Sequence, residues 1–275
     1  MGSPAAPSGD EVAYETVGQV ALLTFNRPQR LNAFTPSMHA RYRALLAAAE
    51  ADDTVGSIVV TGAGSAFCAG ADTSAVRNVA ENGTYPEGDK PKVDARPGYG
   101  VHPAFDRPLV YHFGLTKPVI AAINGSAVGM GFVLACCTDI RLIAHGATCT
   151  AGFARLGLPV EFGLSWILPR LIGASRAAEL LLSDRRIDAD ETVTMGLASR
   201  AVEPELLVPE ALSLGADIAK TCTPNALREA KRQIYMDLFR DLETAYGDAS
   251  TLVKRMVAEP EFREAVAART VDRSS

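Results

Sequence analysis

The stretch NGSAVGMGFVLACCTDI, Asn124–Ile140, decides the fold. Gly129 and Gly131 bracket Met130, and no charged side chain follows until Asp139. Just upstream, PVIAAIN (Pro118–Asn124) is a short apolar run between turn residues, the pattern of a buried strand. The apolar run behind Gly131 reads as a buried helix. Gly-Met-Gly therefore sits where a strand hands over to a helix. The first N–H groups of a helix have no internal partner. Small neighbours let another atom come close to the backbone, and the helix dipole favours negative charge there. One such N–H is half of an oxyanion hole.

Strands and helices alternate outward from this point. QVALLTF (Gln19–Phe25), SIVVTG (Ser57–Gly62) and IRLIA (Ile140–Ala144) read as further buried strands. Between the first two, Thr35 is the expected N-cap and Pro36 the first residue of a helix. Met38, Tyr42, Leu45, Leu46 and Ala49 share one face of it. This order predicts an α/β fold with a parallel, buried sheet. Asp188 and Glu191 form a capping-box-like pair ahead of another helix. The chain then turns mostly helical, with the change near Gly196–Pro204. We divide it into a disordered leader (residues 1–11), an α/β core (12–199) and a C-terminal helical module (200–275). Residues Glu81–Pro103, rich in Pro and Gly, fit neither helix nor strand and read as a functional loop, a candidate lid. No internal repeat is evident.

Composition excludes several classes. With 275 residues, 48% hydrophobic and a formal net charge of −5, the chain suits one sizeable globular core. The densest basic run, REAKR (Arg228–Arg232), reads as a solvated helix face, so no nucleic-acid partner is expected. No apolar run is long enough to span a membrane, and the first residues lack the pattern of a signal peptide. Cys68, Cys136, Cys137, Cys149 and Cys222 are odd in number and form no pair of C-x-x-C motifs, so neither a disulfide framework nor a metal site is expected. A reducing, cytoplasmic setting fits. GAGSAF and GMGFVL begin as G-x-G but lack the third glycine and the Lys-Ser/Thr of a phosphate loop. G-x-S-x-G is absent.

FCAGAD (Phe67–Asp72) is a second small-residue turn after a strand and before a helix, able to supply the other half of an oxyanion hole. Asp72 reads there as a helix N-cap. The motifs VALLTFNRPQRLNAF, VVTGAGSAFCAGAD, KPVIAAINGSAVGMGFVLACCTDIRLIA and LPRLIG…AAELLLSDRRIDADETVTMGLASRAV together resemble the enoyl-CoA hydratase/isomerase (crotonase) family, in order and over nearly the whole chain. The resemblance implies a spiral of ββα units with C-terminal helices for assembly, as a homotrimer or a hexamer of two trimers. It implies an acyl-CoA thioester substrate and no cofactor, coenzyme A being part of the substrate. It assigns the thioester-polarising amides to Ala71 and Met130, beside Gly129. It places coenzyme A against Gln29, Arg30, Leu31 and Ala33 and against Ala69, Asp72 and Thr73.

The sequence departs from the family at the chemistry. Hydratases of the family use two glutamates to hold and activate water. Here those positions are Val133 and Phe153, and neither can move a proton. A carboxylate remains in GLPVEFGLSW: Glu161, in the turn where family isomerases carry their catalytic glutamate. This implies a single acid/base group, suited to double-bond isomerisation, with hydration as a further option. The alternative is a family member that binds acyl-CoA with little or no catalysis.

Overall fold

The computed structural model describes residues 11–84, 102, 105 and 107–272. The expected leader up to residue 10 and most of the 81–103 segment lie outside the described residues.

The chain opens with an antiparallel hairpin, β1 (Val12–Val17) and β2 (Val20–Phe25), followed by α1 (Pro36–Ala51). Thr35 caps α1 by accepting from Met38 N at 3.1 Å, and Pro36 needs no acceptor at its first position. Met38, Tyr42, Leu45, Leu46 and Ala49 are its buried face, as the spacing predicts. Three turns of one pattern then follow. β3 (Ser57–Gly62), β4 (Ala66–Cys68) and α2 (Thr73–Asn82) make the first. β5 (Val119–Ile123), β6 (Ser126–Val128) and α3 (Met130–Cys136) make the second. β7 (Ile140–Ala144), β8 (Thr148–Thr150) and α4 (Leu164–Ile172) make the third. α5 (Ala174–Ser183), β9 (Ile187–Asp188), α6 (Ala189–Thr194), β10 (Arg200–Val202) and α7 (Leu207–Thr221) complete the core.

In each repeat the first strand enters a large sheet and the second a small one. The large sheet has the order β1-β2-β3-β5-β7-β10, parallel except at β1. The small sheet has the order β4-β6-β8-β9, with β9 antiparallel. This is the ββα spiral that the family resemblance implies. β5 is buried at every position, which explains its lack of polar alternation. Two asparagines hold the crossings between sheets. Asn32 Nδ2 donates to Ala66 O (2.7 Å) and Ala63 O (2.9 Å), while Asn124 Oδ1 accepts from Gly62 N at 3.0 Å. β10 and α7 lie beyond the composition change at residue 200, yet β10 pairs with β7 and α7 covers the large sheet.

The helices that leave the core are α8 (Pro224–Met236), α9 (Leu242–Met256) and α10 (Pro260–Asp272). Here the reading of REAKR as a solvated face is overturned. Lys231 and Glu229 are buried. Lys231 Nζ donates to Asp139 Oδ2 (2.7 Å) and Lys117 O (2.8 Å), and Tyr235 Oη donates to Asp139 Oδ1 (2.6 Å). Glu229 accepts from Arg232 and Arg255, each at 2.8 Å. A buried charge is tolerated when paired and hydrogen-bonded. Composition shows the charges of this run but not their partners.

Asp188 caps α6 as expected, accepting from Glu191 N at 2.8 Å, whereas the Glu191 carboxylate pairs with Arg185. Among the described residues no helix is long and apolar enough to cross a membrane. Cys68, Cys136, Cys137 and Cys149 are buried free thiols, and burial pushes the Cys68 and Cys149 thiols up to about 12.

Candidate active site

The Gly-Met-Gly segment forms a sharp bend closing β6 and opening α3. Gly129 has φ +53° and ψ −118°, a conformation that side chains oppose. Its N–H donates to Thr150 O at 3.2 Å, and its carbonyl accepts from Val133 N at 2.9 Å. Met130 is the first residue of α3, so its own N–H has no acceptor within the helix. Gly131 is required for a different reason. A Cβ there would stand 2.1 Å from Cys68 O, so α3 rests directly on β4. The rest of α3 is buried through Cys136. The charge-free run thus faces core on all sides. Asp139, which ends it, accepts from Val119 N at 2.6 Å at the start of β5.

The second turn lies alongside. Phe34 and Ala71 form a parallel bridge, with Phe34 N donating to Gly70 O (2.7 Å) and Asp72 N donating to Phe34 O (3.0 Å). Successive amides of an extended chain point to opposite sides, so the Ala71 N–H faces away from Phe34. Gly70 and Gly129 bring the two turns together. A Cβ on Gly129 would lie 3.9 Å from Gly70 Cα, and one on Gly70 would lie 3.0 Å from Val128 O. The two sequence-predicted amides, of Ala71 and Met130, each follow one of these touching glycines. Two backbone donors so placed can hold a negatively charged oxygen.

The Gln29–Ala33 segment laces into the same turn. Ala69 N donates to Leu31 O at 3.0 Å. Gln29 and Arg30 are exposed on a 3₁₀ turn, Leu31 is half-exposed, and Ala33 is buried. Asp72 caps α2 by accepting from Ser74 N (3.1 Å) and also takes Arg27 Nη2 at 3.1 Å. The Ser74 hydrogen bond, helped by Arg27, holds its carboxyl below the usual carboxylate range against the opposing effect of burial. A cavity of about 390 Å³ opens here, lined by Arg27, Arg30, Thr35, Asp72, Thr73, Ser74 and Arg77. The Asp72 carboxylate is engaged by Arg27, while Arg30 and Arg77 make no ion pair among the described residues. Two spare guanidinium groups suit a phosphate-bearing ligand. Sequence reasoning missed Arg27, Arg77, Thr35 and Ser74. Arg77 stands four residues after Thr73, one helical turn away, and that spacing was the available signal.

Glu161 is half-buried in the connection to α4, with its carbonyl accepting from Leu164 N at 3.1 Å. Phe162 (φ +53°) and Gly163 (φ +72°) follow in left-handed conformations, which for phenylalanine is strained. Phe162 and Trp166 pack against the core. Trp166 stacks on Phe239 at 5.3 Å and carries the Arg170 guanidinium 3.9 Å over its ring. α4 in turn packs against α3, the helix opened by Met130. Val133 (0% exposed) and Phe153 (4%) are core side chains, and neither can take up or release a proton. The Ala71 and Met130 turns thus lie together, and Glu161 stands in the turn before α4, a helix that packs against α3.

The sequence pattern of the enoyl-CoA hydratase/isomerase family matches residues 15–271. The chain belongs to that family. It is 34% identical over 265 residues to the 1,2-epoxyphenylacetyl-CoA isomerase of Escherichia coli (strain K12), covering 93% of each chain. Among solved structures it resembles an enoyl-CoA hydratase from Mycobacterium marinum, with a TM-score of 0.68 and 42% identity over 84% of this chain and 100% of that one. It also resembles a monofunctional enoyl-CoA isomerase from M. smegmatis, with a TM-score of 0.69 and 30% identity over 86% of this chain and 99% of that one. As a member of this hydratase/isomerase family, the chain keeps the fold while burying apolar side chains at positions 133 and 153.

Proposed function

We propose that this family member isomerises the double bond of an enoyl-CoA, with Glu161 as the sole acid/base. The observation that supports this reading is the close approach of Gly70 and Gly129, the residues just before Ala71 and Met130. In this reading the thioester oxygen accepts from both. Glu161 removes a proton from C2 of a 3-enoyl-CoA, the negative charge spreads to the oxygen as a dienolate, and the proton returns at C4. Arg30 and Arg77 receive coenzyme A phosphates, with Gln29, Leu31, Ala33, Ala69, Asp72 and Thr73 along its path. No further cofactor takes part. The name of the M. smegmatis enoyl-CoA isomerase supports the reaction class, and that of the E. coli relative supports isomerisation of a CoA thioester more generally. Exposed Tyr246, Val253, Phe262 and Val266 on α9 and α10 support self-assembly of the 200–275 module, as a trimer or hexamer.

Buried Val133 and Phe153 favour a second reading, an acyl-CoA-binding protein with little catalysis. Glu161→Gln separates the two. It keeps shape and hydrogen bonding but cannot take up a proton. Turnover of a 3-enoyl-CoA should fall by about 10² to 10⁴, with acyl-CoA affinity nearly unchanged. Full activity in the variant ends the isomerase assignment. An inactive natural protein that binds acyl-CoA puts the second reading ahead.

A further inference from the structure

Asp184, in LLLSDRRID, has no role in the chemistry above, yet it is held in a costly position. It closes α5 with φ +50°, a left-handed conformation that glycine would adopt without strain. Its side chain is buried, at 3% exposure. The carboxylate reaches back to the loop behind β8: Oδ1 accepts from Gly152 N at 2.6 Å and Oδ2 from Arg155 N at 3.1 Å. The carbonyls of Asp184 and Arg185 accept from Thr150 Oγ1 at 3.4 and 3.1 Å. Thr150 O in turn accepts from Gly129 N at 3.2 Å. Gly152 itself lies against this bend, since a Cβ there would be 3.1 Å from Val128 Cγ1 and 3.5 Å from Gly129 N.

We propose that Asp184 is a positioning residue for the Met130 amide. Its carboxylate clamps residues 150–155, and that loop fixes the bend at Gly129 from one side. The Val133 N–Gly129 O bond fixes it from the other. Between these anchors the Gly129–Met130 peptide has one orientation, and with it the direction of the Met130 N–H. A buried carboxylate receiving two backbone amides in a left-handed residue is a strong restraint. The proposal rests on the oxyanion role of Met130. It differs from a merely structural role because it predicts a loss at the thioester oxygen, not only a loss of stability.

The test uses Asp184→Gly, which removes both acceptors and the left-handed strain together, Asp184→Asn, which keeps one acceptor oxygen, and Thr150→Val, which removes the hydroxyl bonds to the Asp184 and Arg185 carbonyls. The full-length variants are assayed on a 3-enoyl-CoA well below their melting temperatures. Each is also mixed with cinnamoyl-CoA, whose conjugated thioester absorbs at longer wavelength as its carbonyl is polarised. In Asp184→Gly, kcat should fall about tenfold to a hundredfold, the scale of a slight misplacement at a reacting centre. KM should stay within about twofold, and the red shift of bound cinnamoyl-CoA should shrink. Asp184→Asn should recover part of both. Wild-type kcat and red shift in Asp184→Gly and in Thr150→Val overturn the proposal, whatever happens to Tm. If Asp184→Gly does not fold, Asp184→Asn decides by the same two readouts, and wild-type values of both overturn the proposal. Absence of a red shift in the natural protein instead removes the oxyanion reading on which the proposal rests.

Discussion

The two turns that supply the amides are built differently. The Met130 turn opens a helix buried from Gly131 through Cys136 and rests on Cys68 O through Gly131. The Ala71 turn opens α2, which buries none of its residues and is tied down by the Asp72 cap and the Arg27 pair. One turn is therefore fixed by core packing and the other by hydrogen bonds to Phe34 and Arg27 at the base of an exposed helix. Packed cores have few alternative arrangements, whereas exposed helices open locally at low cost. In the proposed reading one amide comes from a rigid wall and the other from a more compliant one, whose helix α2 also lines the cavity.

Ala71→Pro attacks the compliant side and has the largest expected effect. It deletes one donor but keeps the Gly70 O and Asp72 N bonds to Phe34. Turnover should drop by about 10² to 10³, equivalent to about 2.7–4 kcal/mol in the transition state, in a protein whose melting curve is little changed. Unchanged turnover would take Ala71 out of the site. Gly131→Ala attacks the rigid side. The added methyl meets Cys68 O, so the loss should appear as stability, about 1–3 kcal/mol by denaturant unfolding. A stable Gly131→Ala protein would show that the wall yields. Asp72→Ala removes the cap and the Arg27 pair, and should cost about 0.5–2 kcal/mol, confined to α2 in hydrogen exchange.

The weakest effect is one of pH. Asp72 is held below the usual carboxylate range, so its stabilisation is complete above its unfolded value of about 3.9 and is lost as pH falls through the lower folded value. Acidification below about pH 4 should loosen α2 in the natural protein and leave Asp72→Ala unaffected. Equal loosening of the Met130 turn would erase the contrast.

The large sheet and α1 were legible because each carries a periodic or unbroken apolar pattern. The second strands of the repeats were not. β4, β6 and β8 have three residues each, too few to show a period, so the spiral stays hidden in the sequence until the family resemblance supplies it. Both turns were legible through their glycines, since close backbone contact leaves no alternative residue. The Arg77 side of the cavity carried only the weak signal of its four-residue spacing from Thr73, which many surface arginines share. Nor was Asp184, whose partners lie about 30 residues earlier along the chain. REAKR misled because charge in a sequence carries no record of burial.

Asp139 bears on how the protein is made. Its carboxylate takes Val119 N from its own repeat, but the ammonium of Lys231 and the hydroxyl of Tyr235 come from 92 and 96 residues later. A nascent chain that has emerged only through α7 holds all ten strands of the described residues and an acid without its cation. The Asp139 pairs form only when α8 clears the ribosome, so a chain that stops before α8 leaves an acid beside β5 without its partners.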